Sequence, residues 1–125
     1  VKRECFLYKS SDAFNKHFYI DRASAKDILK VIKTQQPKFN RLRIRVLETE
    51  NHYYQYYEKT KGFNNITEMR FLGNPNGRIY CREFRAKNGD FCIVLGKCIE
   101  YKKSETIDKS IKAQLKVLET YEYEL

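Results

Sequence analysis

Arginine, lysine and tyrosine are the residues of this sequence with chemistry to offer, and they crowd one stretch. From Arg70 to Lys103 there are eight basic residues and three acidic ones, Arg70, Arg78, Arg82, Lys97, Lys102 and Lys103 among the basic set. A guanidinium presents a planar fork of donors that matches phosphate oxygens, and an ammonium is a compact point charge for the same anion. The net charge of +9 over 125 residues broadens that signal. A polyphosphate backbone gains more from such a surface than an isolated small anion does, although an acidic protein would serve too.

Each of these residues also has an ordinary structural role. Arg82 suits a phosphate grip or an ion pair with Glu68 or Glu83 on a sheet surface. Arg70 suits a pair with Glu68, two residues away on the same strand face. Lys97, Lys102 and Lys103 are backbone-binding cations, proton donors or plain solvated lysines. Tyr80, Tyr101, Tyr121 and Tyr123 can stack bases, yet with ten tyrosines in the chain most must be packing residues. The "HYYQYYEK" run has the composition of an aromatic platform, and as part of a helix its Tyr53 and Tyr57 form a core edge instead. Cys5, Cys81, Cys92 and Cys98 contain no CxxC spacing and no neighbouring histidine, so they read as small apolar residues in strands, with no metal and no cofactor expected.

One domain is expected at this length. No apolar run approaches the roughly 18 residues of a membrane helix, and "VKRECFLYKS" lacks a signal peptide's apolar segment, so no membrane partner and a cytoplasmic location are expected. "ECFLY" reads as a strand. "SSDAFNKHFYID", with Phe14 and Phe18 four apart behind Ser11 and Asp12, reads as a short helix. Ser24 caps a helix with Ala25, Ile28, Leu29 and Ile32 on one face, and Pro37 bounds it. From Phe39 a long helix carries Leu42, Val46, Tyr53 and Tyr57 to a stop at Gly62, although "LRIRV" alternates like a strand. Strands follow over 66–72, 78–86 and 91–101, the last apolar enough to be covered on both faces. Ser104 then caps a closing helix with Ile107, Ile111, Leu115 and Leu118 in a stripe.

A two-residue turn at Asn88-Gly89 sets the register of the last hairpin. Phe84 then faces Ile93, Arg82 faces Leu95, Tyr80 faces Lys97, and Ile79 faces Cys98. Tyr80, Arg82 and Lys97 share a face in that register, and a bulge at Gly96 would change the parity.

Four segments, "ITEMRFLGN", "GRIYCREF", "FCIVLGKCIEYKKSET" and "IDKSIKAQLKVLETYEY", resemble the RelE/ParE superfamily of bacterial toxins, in particular its HigB-like, phage-related branch. The resemblance implies an α+β fold: a small antiparallel sheet packed with N-terminal helices and a C-terminal helix. It also implies a toxin of a type II toxin–antitoxin system that cleaves mRNA without a metal and so inhibits translation. Its partners would be a cognate antitoxin, expected to be a helix-turn-helix protein, and mRNA, with the ribosome and a homodimer left open. In such a site Arg82, Lys97 and Lys102 would be catalytic, and Arg70, Arg78, Tyr80, Tyr101, Lys103 and Tyr121 would bind RNA. The alternatives are a ParE-like toxin that binds DNA gyrase and a basic RNA-binding or interaction module without activity. RNA cleavage of this type needs a base for the 2′-hydroxyl, cations for the phosphorane and an acid for the leaving oxygen. The half that carries the motifs has no histidine. A tuned lysine or tyrosine, or positioning and charge stabilisation, would have to supply the rate.

Overall fold

A computed structural model describes residues 2–73, 76–100 and 109–125. Seven strands form one curled, mixed sheet in the order β3-β4-β5-β6-β2-β1-β7. They are β1 (Arg3–Ser11), β2 (Lys16–Asp21), β3 (Tyr57–Lys59), β4 (Thr67–Phe71), β5 (Gly77–Arg85), β6 (Phe91–Ile99) and β7 (Tyr123–Glu124). The helices are α1 (Ala25–Thr34), α2 (Gln36–Leu47) and α3 (Lys109–Leu118). Strand β2 lies parallel to β6 and β1 parallel to β7, while the other pairs are antiparallel. The expected small antiparallel sheet with N-terminal helices is therefore corrected. The molecule is dominated by a larger mixed sheet, and its N-terminus is a β-hairpin.

The expected helix over "SSDAFNKHFYID" is the turn and return strand of that hairpin. Phe18 and Ile20 point into the core while His17 and Tyr19 are half-exposed on the other face, a period of two. Asn15 closes the turn at φ +52°, a backbone that asparagine tolerates better than most residues. The long helix expected to reach Gly62 stops at Leu47. The carbonyls at and just beyond its end are gathered by Lys16, whose Nζ donates to Val46 O at 3.0 Å, Thr49 O at 2.6 Å and Asn51 O at 2.9 Å. The tyrosine run beyond becomes a loop and then β3, held by Tyr57, which is buried and donates from its hydroxyl to Glu83 at 2.6 Å. Pro37 sits in the first turn of α2, where its missing N–H has no helical partner to lose.

Both sheet faces are covered, unequally. On one, Ile28, Val31 and Ile32 of α1 and Phe39, Leu42, Val46 and Leu47 of α2 pack on Phe18, Ile20, Met69, Phe71, Ile79, Cys81, Ile93 and Leu95. On the other, Leu115 and Leu118 of α3 pack on Phe63, Ile66 and Tyr80. The chain then continues into β7, which the sequence did not announce. Among the described residues no helix is long and apolar enough to cross a membrane.

The β5–β6 hairpin differs from its expected register in two places that cancel. Its turn is one residue longer, closed by Ala86 N to Asp90 O and Gly89 N to Ala86 O at 2.9 Å each, with Gly89 at φ +93°. Near the turn Phe84 therefore faces Cys92 and Arg82 faces Val94. A bulge opposite Tyr80 and Cys81 takes up Gly96, after which Tyr80 faces Lys97 and Ile79 faces Cys98 as expected. An added Cβ at Gly96 would lie 2.6 Å from Leu118 Cδ1, so any larger residue there would force that side chain to shift.

Candidate nucleic-acid interface

Helix α2 turns Phe39, Leu42 and Val46 inward and so carries Lys38, Arg41 and Arg45 on its outer side. Their spacing of three and then four residues keeps them on one helical face. Across from them the loop before β3 brings Tyr54 and Tyr56 over the sheet edge, where Arg70 N donates to Tyr56 O at 2.9 Å. Lys38, Arg41, Leu42, Tyr54, Tyr56, Arg70 and Leu72 together line a pocket of about 150 Å³.

Three cationic heads meet there, and only part of their donor capacity is used. Lys38 Nζ donates to Leu72 O. Arg70 pairs with Glu58 and donates from Nη2 to Gln55 O at 2.5 Å. Its Nε is buried and has no hydrogen-bond acceptor among the described residues. A buried guanidinium donor without an acceptor costs roughly 1–3 kcal/mol, more for a charged group. The exposed Arg41 makes no hydrogen bond or ion pair among the described residues. The Arg45 guanidinium lies 5.5 Å from the centre of the Tyr54 ring, and the Tyr54 and Tyr56 rings meet at 5.6 Å and 58°. Cations interleaved with tilted tyrosine faces are what a flexible polyanion with planar bases requires.

The residues singled out from the sequence are distributed differently. Of those that are described, Arg70 lines this pocket. Arg78 stands directly opposite Arg70 on β5 but is buried, 3.6 Å from Glu68 and donating to Asn76 Oδ1 at 2.6 Å and Gly77 O at 2.9 Å. Tyr80 is buried beneath α3. Arg82 Nη1 donates to Leu118 O, Glu119 O and Tyr121 O at 3.0, 2.9 and 2.6 Å, so the guanidinium closes the C-terminus of α3. Burial lowers its pKa, and only in part is this opposed by Tyr123, Glu119 and Glu122. Lys97 shares the face of Tyr80 and Arg82, half-buried, with no hydrogen bond or ion pair among the described residues. Tyr121 lies beneath the Arg3 guanidinium at 3.9 Å. Tyr101, Lys102 and Lys103 fall outside the described residues.

Two further features bear on chemistry. Burial pushes the thiols of Cys5 and Cys98 up to about 11 and raises those of Cys81 and Cys92, which leaves all four poor nucleophiles near neutrality. His17, absent from the second half where acid–base chemistry was sought, nonetheless meets it in space. Its Nε2 lies 2.7 Å from Asp90 Oδ2 and its Nδ1 2.8 Å from Ser10 Oγ, a polar latch from the β1–β2 hairpin to the β5–β6 turn.

Lys38, Arg41 and Arg45 are not among the residues singled out from the sequence, whereas Tyr54 and Tyr56 lie in the "HYYQYYEK" run that reads as an aromatic platform or a helical core edge. The signal was available in "KFNRLRIRV", whose basic residues at 38, 41 and 45 keep helical spacing, but it was used there only to place the apolar face. No family model, no curated protein and no solved structure matches this chain.

Proposed function

We propose that the protein binds RNA through the pocket between α2 and β4, gripping phosphate with Lys38, Arg41 and Arg70 and stacking bases on Tyr54 and Tyr56. The observation that carries this reading is the convergence of Arg41 and Arg70 on one concavity beside two tyrosine rings. RNA fits better than a rigid duplex because unstacked bases are free to meet aromatic faces. Cytoplasmic location belongs to the same proposal, since that is where such RNA is met. Fluorescence anisotropy with a short single-stranded RNA tests it. Arg41→Ala should weaken binding about tenfold, the equivalent of one charge-assisted contact. Unchanged affinity in both Arg41→Ala and Arg70→Gln would remove the pocket from the interface.

A narrower second reading is an mRNA-cleaving toxin held in check by a cognate antitoxin. It is favoured by one observation, the shared face of Tyr80, Arg82 and Lys97. In it Arg82 holds α3 in place, and phosphate contact falls to Lys97 and the lysine pair at 102 and 103. Mapping of RNA 5′ ends after induced expression is the test. Intact mRNA with accumulating DNA breaks would favour a gyrase-directed toxin, and neither effect would leave a binding module.

A further inference from the structure

The α2–β4 pocket has a size and a charge that discriminate between kinds of phosphate. With Lys38, Arg41 and Arg70 on its walls and Glu58 against Arg70, the formal balance is +2. A phosphodiester inside a strand carries a single negative charge, whereas a terminal phosphate monoester carries about −1.5 to −2 near neutrality and offers three acceptor oxygens. At about 150 Å³ the pocket admits a phosphate group and part of its nucleoside.

We infer that this pocket recognises a phosphorylated end of single-stranded RNA. The inference rests on the RNA-binding reading above and narrows its ligand. The monoester oxygens meet Arg41, which makes no hydrogen bond or ion pair among the described residues, and the Arg70 guanidinium on the pocket wall. Lys38 contributes charge while its Nζ stays on Leu72 O, and that bond ties the pocket rim to α2. The terminal base lies on Tyr54, whose ring also has the Arg45 guanidinium 5.5 Å from its centre.

Either end of an RNA can carry the monoester, so the experiment compares both. Anisotropy titrations use one short oligoribonucleotide in three forms: 5′-phosphorylated, 3′-phosphorylated, and with hydroxyls at both ends. One phosphorylated form should bind roughly tenfold more tightly than the hydroxyl form, as one additional charge-assisted contact would give. Arg41→Ala should bring that form down to the hydroxyl level with an unchanged thermal unfolding curve, because Arg41 is exposed and makes no hydrogen bond or ion pair among the described residues. Equal binding of all three forms would overturn the terminal-phosphate inference while the broader RNA-binding reading stands. No binding of any form would overturn both. An Arg41→Ala variant that keeps the full preference would also overturn it, since the monoester would then be read elsewhere.

Discussion

Arg82 and Lys16 perform one task on opposite faces of the sheet. Each brings a cation to the C-terminal end of a helix, Arg82 to α3 and Lys16 to α2, and each contacts three carbonyls, one in the helix's last turn and two just beyond it. A helix end carries partial negative charge and orphan carbonyls, so a cation there satisfies both needs. Replacing Arg82 by Met should lower stability by about 1.5–3 kcal/mol, the range for hydrogen bonds to charged groups, read as a drop in the urea midpoint. RNA affinity of the folded protein should be unchanged if binding lies at α2. His52 provides a pH test at the same scale. Burial, with Lys16 and Arg85 adding to it, lowers its pKa below the ordinary 6.5, and its ring lies 4.6 Å from that of Phe91. A base with a lowered folded pKa binds more protons when unfolded. Stability is therefore full above about 6.5 and falls as pH drops toward the lowered value. Thermal unfolding between pH 7 and 5 should show that decline, and His52→Phe should flatten it.

Among the elements, the β5–β6 hairpin shows how much register depends on its neighbours. Asn88-Gly89 marks a turn correctly, but its length is set by the closing bonds between Ala86 and Asp90, and these shift the near end by one residue. Gly96 then restores the far end by bulging where α3 leaves no room for a side chain. Gly96→Val should destabilise by about 1–3 kcal/mol, the usual cost of overpacking, seen in chemical denaturation. Its effect should be relieved in part by Leu118→Ala, which removes the atoms in the way. Helix α2 illustrates a different limit. Its basic stripe and apolar stripe both have helical spacing, so "KFNRLRIRV" specified the helix, while its end at Leu47 depended on a lysine 30 residues or so earlier in the chain. No local pattern could report that the carbonyls of Val46, Thr49 and Asn51 would converge on Lys16.

For the whole molecule, the charge of +9 predicts how binding responds to salt. Affinity for RNA should fall linearly on a log–log plot against salt, with a slope of roughly −0.7 per phosphate neutralised on a single strand. Arg41→Ala should reduce that slope by about one contact, whereas Arg82→Met should leave it alone. A slope near zero would mean the basic surface is not the interface. The sequence by itself determined the net positive charge, the helices from Ser24 and Pro37, and the three strands of the second half, because charge and short-period hydrophobic patterns are local properties. It also placed Tyr80, Arg82 and Lys97 on one face. Only the tertiary structure decided the size and mixed pairing of the sheet, the addition of β7 to β1, and the commitment of Arg82 to α3. The pocket likewise exists only in three dimensions, since α2, the tyrosine loop and Arg70 on β4 meet there from separate stretches of chain. Long-range pairing and side-chain convergence depend on which surfaces meet when the core closes, and a one-residue change in turn length is enough to redirect them.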